Sequence, residues 1–166
     1  YFILSLLIFR LVWGVVGSHY AQFFNFIKSP KTVLAYLKNP TELAGHNPLG
    51  ALSVMALLGF LLIQAVTGLF ASDDIAFEGP LSKYVSSNWV ELLTSFHRLD
   101  ETVLILLIAL HVGAIVYYRW IKKVNLVKPM ITGDKEWAEK IPAARDDCLL
   151  RLFAATIYVV IAGTLY

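Results

Sequence analysis

Four long apolar stretches run through this sequence, and they restrict the chain to folds that a membrane accommodates. About 20 apolar residues in a helix cross the ~30 Å hydrocarbon core of a bilayer. Charged residues make up 16% of the chain, against about 25% in soluble domains. We therefore predict an all-α integral membrane helical bundle, a single domain over 1–166. Its four transmembrane helices are expected at about 1–17, 51–70, 97–120 and 148–166, and the stretch 51–70 contains no charged residue.

The lysines and arginines are distributed unequally among the connecting segments. Ten of the 14 lie in 18–48 and 119–147, whereas 71–101 contains two, together with six acidic residues. By the positive-inside rule, 18–48 and 119–147 are expected to be cytoplasmic and 71–101 external. The net charge of +2 reflects this asymmetry and does not indicate nucleic-acid binding.

The same topology puts both chain ends on the external side. Tyr1 stands inside an apolar run, with no methionine and no signal peptide before it. We therefore expect a fragment that lacks at least one upstream helix. Cys148 is the single cysteine, so the chain has neither an internal disulfide nor a C-x-x-C-H attachment for c-type haem. Any haem would be held by histidine without a covalent bond.

Two connecting segments are expected to carry local structure. The segment 20–37 mixes aromatic residues with lysines and is predicted to lie along the cytoplasmic surface, with Phe24 and Phe26 in the lipid boundary. After the Gly79-Pro80 turn, the segment 81–95 is either a short amphipathic helix or an ordered loop.

His97 and His111 are the residues that point most directly to a function. They are fourteen residues apart on the third apolar helix, so their side chains leave the same face, about 21 Å apart along the axis. An imidazole in lipid needs a partner for its nitrogens, and neutral imidazole is a good ligand for iron. The spacing suits one axial ligand to each of two stacked haems. Hydrogen bonds to neighbouring helices, or an interfacial location, are the alternatives.

Three other polar residues have more than one interpretation. His46 precedes the second span and could ligate iron, contact a haem propionate or a quinone, or be merely interfacial. Arg10, inside the first span, could pair with a haem propionate or snorkel to the cytoplasmic interface. His19 follows that span and is expected to be solvated. No nucleophile–base pair or acid–base dyad is recognisable, so we expect an electron-transfer component rather than a stand-alone enzyme.

Several motifs together resemble the bacterial cytochrome b561 proteins, which share a superfamily with the b-type subunits of nickel–iron hydrogenases and formate dehydrogenase. They are FRLVWGVVGSHYAQF, GHNPLGALSV followed by QAVTGLFASDD, and FHRLDE followed by LHVGAIVYYRW. The resemblance extends from about Phe9 to Gly133.

The resemblance implies a helical bundle in a bacterial inner membrane, with 71–101 on the periplasmic side. The bundle is expected to hold two b haems, one toward each membrane face. The positions that match the paired ligands of one family helix are His97 and His111. The other two family ligands lie on the first family helix and at the start of the next, and this chain lacks both. A quinone pocket near the cytoplasmic haem makes His46 and Asn47 candidates as well.

We therefore expect transmembrane electron transfer between a redox partner and quinone, in either direction. The partner would be a c-type cytochrome or a dehydrogenase or hydrogenase subunit, and a homo-oligomer is possible. Two alternatives stay open. One is a haem-free membrane anchor or transporter subunit, and the other is a transmembrane reductase of an external small acceptor.

Overall fold

The computed structural model describes residues 1–39, 47–132 and 146–165, and this part of the chain is helical. In chain order, the helices of these residues are α1 (Phe2–Val16), α2 (Phe23–Phe26), α3 (Pro30–Lys38), α4 (Pro48–Gly68), α5 (Ser87–Trp120), α6 (Val127–Thr132) and α7 (Cys148–Leu165). Short 3-10 turns lie at His19–Ala21 and Ser82–Tyr84.

Three of the described helices, α4, α5 and α7, are long and apolar enough to cross a membrane. The apolar helix α1 has 15 residues and is shorter than the usual ~20. An all-α membrane bundle is therefore confirmed as the fold class. His46, one of the predicted site residues, lies outside the described residues.

The helix α5 is longer than the sequence suggested. It runs without interruption through 34 residues, and at about 1.5 Å per residue it spans about 51 Å, well beyond the hydrocarbon core. The segment 81–95 is therefore not a separate amphipathic helix, because its residues from Ser87 onward are the first turns of α5. No proline follows Pro80 before the end of α5, so nothing in the sequence breaks the helix.

Antiparallel helix pairs form the bundle. The helix α4 packs along α5, and α1 packs on both α4 and α7. Aromatic rings join α1 to α7: Phe9 meets Tyr158 edge to face at 5.8 Å between ring centroids, and Trp13 lies 6.3 Å from Phe153. Since the later residue of α1 meets the earlier residue of α7, these two helices run in opposite directions.

The turn after α1 is closed by aromatic packing. The ring of Phe23 lies so close to Gly14 that a Cβ there would collide with it, so a glycine is required for this approach. Phe24 is 84% exposed, as a residue in the lipid boundary should be. The prediction for Phe26 is wrong, because Phe26 is only 4% exposed and packs against Phe23 inside the protein.

A compact loop joins α4 to α5. Backbone bonds from Gly79 N to Ala71 O (2.7 Å) and from Leu81 N to Leu69 O (2.8 Å) hold its two arms together. The amide of Ser72 donates to Thr94 Oγ1 at 3.1 Å, so the loop is attached to the first turns of α5. Its tip is organised by Asp73, whose Oδ1 accepts from three backbone amides, those of residues 75–77, at 2.8–3.0 Å.

These three bonds make the loop sensitive to acid. The amides of Phe77, Ala76 and Ile75 hold the pKa of Asp73 below its ordinary value, so the ionised carboxylate stabilises the folded loop above the unfolded pKa of about 3.9. That stabilisation is lost as the pH falls through the lower pKa of the folded state. We expect the hydrogen-exchange protection of amides 75–77 to decline over this acid range.

The control is a pair of variants. Asp73→Asn keeps an acceptor oxygen without the charge, so the protection should be weaker at neutral pH and should no longer change with this titration. Asp74→Asn should behave as wild type, because its carboxylate accepts none of the three bonds. Equal acid sensitivity in the wild type and in Asp73→Asn would contradict the assignment.

Candidate functional site

His97 and His111 both leave α5 on the face that packs against α4. The ring of His97 approaches Thr67 of α4, with 3.1 Å between Nδ1 and Oγ1. The ring of His111 approaches Ser53 of the same helix, with 3.0 Å between Nδ1 and Oγ. Both histidines are half-buried. Each imidazole therefore has one nitrogen engaged by a hydroxyl of the neighbouring helix.

The two hydroxyls repeat the spacing of the two histidines. Ser53 and Thr67 are fourteen residues apart on α4, as His97 and His111 are on α5. Because α4 and α5 are antiparallel, Ser53 near the start of α4 meets the later histidine, His111, and Thr67 near its end meets the earlier one. The result is two similar polar pairs about 21 Å apart along the helices.

The direction of each hydrogen bond at His97 follows from Thr67. The Thr67 hydroxyl donates its one proton to the carbonyl of Ile63, four residues earlier, at 2.7 Å. It must therefore accept from His97, so Nδ1 carries the ring proton. In the neutral ring Nε2 then holds a lone pair, and Gln64 Nε2 lies 3.1 Å from it in a geometry that fits donation.

The space around His97 is adapted to the ring. A Cβ on Gly68 would lie 3.0 Å from His97 Cε1, which is closer than nearly all contacts of real side chains. Glycine at this position therefore lets the imidazole approach the α4 backbone. An alanine there would push the ring away from Thr67 and Gln64.

Two buried polar atoms without partners lie on residues associated with His97. Among the described residues, the buried side-chain atoms that lack a hydrogen-bond partner are Gln64 Oε1 and Asp100 Oδ2. Gln64 touches the ring itself, and Asp100, 5% exposed, lies one helical turn after His97. An unpaired buried polar atom costs roughly 1–3 kcal/mol, so such atoms are uncommon and tend to mark functional sites.

The donor set fits a haem better than a protein-only metal site. Among the described residues, no group of three His, Cys, Asp or Glu side chains could hold a metal ion. A haem iron needs fewer protein ligands than a bare metal ion, since the porphyrin supplies four nitrogens and an axial imidazole on either side completes the coordination. An imidazole whose Nδ1 is hydrogen-bonded and whose Nε2 has a lone pair is the ordinary form of such a ligand. A metal at His97 Nε2 would replace the bond from Gln64.

Arg10 and Asn47 have local partners in the structure. Arg10 Nη1 donates to the carbonyl of Ala21 at 3.2 Å, and its guanidinium lies over the ring of Phe23 at 4.9 Å. These contacts agree with the snorkelling alternative, in which the side chain reaches toward the end of its helix. Asn47 Oδ1 accepts from the amide of Gly50 at 2.6 Å and so caps the start of α4.

His19 is exposed, as expected for a solvated residue. Its Nδ1 lies 3.1 Å from Asn25 Nδ2, in the turn that follows α1. It is therefore tied to its own loop.

Sequence reasoning missed a tyrosine pair near His111. The hydroxyls of Tyr36 and Tyr118 are 3.3 Å apart and join α3 to α5. Tyr118 lies two helical turns after His111 on the same face, level with the start of α4. Burial, together with the neighbouring hydroxyl, raises the pKa of Tyr36 to about 12, so its phenol stays protonated at neutral pH.

Ser53, Gln64 and Thr67 were missed for a different reason. Each is an uncharged polar residue in an apolar helix, and such residues are common in membrane spans. The repeated interval of fourteen residues was the one available signal. It becomes informative only once α4 is known to pair with α5.

Comparison with known proteins gives a family for this chain. The sequence profile described as prokaryotic cytochrome b561 matches residues 1–133. No similar protein was found among curated sequences or among solved structures.

The capping contact of Asn47 yields a test of its role. Asn47→Ala should lower the stability of the protein in detergent by about 1 kcal/mol, because the amide of Gly50 loses its acceptor. Asn47→Asp keeps that acceptor and should retain most of the stability. Thermal unfolding followed by circular dichroism measures both. An unchanged midpoint in Asn47→Ala would show that the cap does not stabilise α4.

Proposed function

This chain belongs to the prokaryotic cytochrome b561 family, and from that membership we propose that it transfers electrons across the membrane through two b-type haems, one bound by His97 and the other by His111. The family is a membrane family that binds b-type haem and carries electrons. A b-type haem, when bound, supplies a one-electron carrier whose potential depends on its ligands and surroundings. The number of haems and their ligands are the proposed part.

One observation carries the ligand assignment. Each of the two imidazoles uses Nδ1 to contact a hydroxyl of α4, His97 through Thr67 and His111 through Ser53. These contacts orient both rings, and at His97 they also fix the tautomer, because the Thr67 proton is donated to Ile63. Nε2 would be the ligating atom of each ring. Metal-binding histidines in proteins commonly have this arrangement. The separation of about 21 Å would put one iron toward each face of a ~30 Å hydrocarbon core.

Loop charge supports an orientation in the bacterial inner membrane. The basic segments 18–48 and 119–147 would face the cytoplasm, and the acidic segment 71–101 the periplasm. His97 would then exchange electrons with a periplasmic or subunit partner, such as a c-type cytochrome or a dehydrogenase or hydrogenase subunit. His111 would serve the cytoplasmic side.

We also propose that quinone reacts near His111. Asn47 and the Tyr36–Tyr118 pair belong to that end of the α4–α5 pair, in the register set by Ser53 and His111. His46 is a candidate because it directly precedes Asn47 in the sequence. A protonated phenol can donate a hydrogen bond to a quinone carbonyl. Arg10 remains a candidate for a haem propionate, although its described contacts run to Ala21 and Phe23.

Single substitutions separate the two proposed haem sites. His97→Ala and His111→Ala should each remove one haem and leave the other, because the ligands are about 21 Å apart. The dithionite-reduced α-band and the haem-to-protein ratio measure the loss. His19→Ala is the matched control and should retain full haem content, since this histidine is exposed and its hydrogen bonds among the described residues stay within its own turn.

These variants also test the alternatives. A haem-free anchor or transporter subunit would show no reduced α-band even in the wild type. Retention of both haems in His97→Ala and in His111→Ala would refute the ligand assignment. A reductase of an external small acceptor would keep both haems and reduce that acceptor without reacting with quinone.

The quinone site has its own test. Tyr36→Phe removes one hydroxyl from the pair and should slow electron exchange with quinone up to about tenfold, the equivalent of a neutral hydrogen bond. Haem content should not change. Tyr84→Phe, an exposed tyrosine before α5, is the control. Stopped-flow haem oxidation by a soluble quinone measures the rate, and an unchanged rate in Tyr36→Phe would exclude its hydroxyl from the site.

A further inference from the structure

We infer that Thr67 and Ser53 are positioning residues that set how strongly each imidazole donates electrons to its iron, and that Thr67 does so more strongly. The inference rests on the proposed function, since it takes His97 and His111 as the ligands. It concerns side chains of α4 that touch no iron. Their effect reaches the metal through Nδ1 of each ring.

The Thr67 hydroxyl is a fixed acceptor. Its proton is committed to the Ile63 carbonyl at 2.7 Å, and its residue is 7% exposed, so water does not compete for it. Donation to a carbonyl polarises a hydroxyl and makes it a better acceptor. The Nδ1–H of His97 therefore donates to an oxygen that cannot change its role.

The Ser53 hydroxyl is less constrained. Within the described residues its hydrogen bond is the one with His111 Nδ1 at 3.0 Å, so its own proton has no second acceptor to hold it. Serine also lacks the methyl group that limits the rotation of threonine. With Nε2 on iron, Nδ1–H of His111 would donate to this hydroxyl, which is not polarised by a further bond.

The difference has an electronic consequence. A hydrogen bond from Nδ1–H raises the basicity of the imidazole, and a more basic ligand favours ferric over ferrous iron. Removing the acceptor should therefore raise the reduction potential of that haem. The rise should be larger for Thr67 than for Ser53, because the polarised hydroxyl of Thr67 is the stronger acceptor.

The test compares midpoint potentials in haem-loaded protein held in detergent. The two haems are assigned with His97→Ala and His111→Ala. Thr67→Val keeps the side-chain shape without the hydroxyl. At a fixed solution potential, the ratio of ferric to ferrous iron at the His97 haem should fall about tenfold, which is a rise of about 59 mV in midpoint potential for one electron. Ser53→Ala should raise the potential of the other haem by less. Thr67→Ser keeps a hydroxyl that can still donate to Ile63, so its potential should stay much closer to the wild-type value than that of Thr67→Val.

A matched threonine serves as the control. Thr156 of α7 donates to the carbonyl of Leu152, four residues earlier, at 2.9 Å, as Thr67 does to Ile63. It is exposed and has no hydrogen bond with any of the histidines that the structure describes. Thr156→Val should leave both potentials unchanged. The low-temperature α-band and the ferric electron paramagnetic resonance spectrum should change only for the haem whose histidine lost its acceptor.

Each outcome is decisive. Unchanged potentials in Thr67→Val, or equal effects of Thr67→Val and Thr67→Ser, would overturn the inference while leaving the haem assignment intact. If the Thr67→Val protein does not bind the His97 haem, the potential is measured in Thr67→Ala instead. If both variants lack this haem while Thr67→Ser retains it, the result supports the role of the hydroxyl. If all three variants lack the haem, the result contradicts that role. Retention of both haems in the histidine variants would instead refute the proposed function.

Discussion

Polar nitrogens inside an apolar helix must find partners on a neighbouring helix, and this requirement governs the structure around the α4–α5 pair. Lipid offers no hydrogen bonds, and an unsatisfied polar group there costs several kcal/mol. His97 and His111 meet the requirement through Thr67 and Ser53. Because the two pairs share one interval of fourteen residues, a single antiparallel register satisfies both at once.

That register also fixes which nitrogen of His97 carries the proton. Thr67 donates to its own helix and accepts from His97, so the ring keeps its proton on Nδ1 and its lone pair on Nε2. Gly68 gives the ring room to approach, and Gln64 occupies the lone pair. In the proposed di-haem carrier, the contacts that stabilise this helix pair would also orient the imidazole, and an iron at Nε2 of His97 would replace the bond from Gln64.

Several features of this chain follow from the sequence because they are local. A run of apolar residues forms a helix in lipid since all backbone bonds close within the helix, and this correctly predicts the three long helices. The common face of His97 and His111 follows from helical periodicity alone. Asn47 and Pro48, a cap followed by a residue suited to the first turn, mark the start of α4, which begins before the apolar stretch does.

Other features required the tertiary structure because they depend on residues far apart in sequence. Phe26 resembles a lipid-facing residue in the sequence, yet it is buried, since packing against Phe23 decides its environment. The partners of Arg10 and of both histidines lie on other elements, and helical periodicity does not specify which face of α4 meets α5. The sequence by itself therefore determined an all-helical membrane chain with two histidines on one face of a helix. Only the helix pairing decided which hydroxyls of α4 meet Nδ1 of the two rings, because that depends on the register between helices.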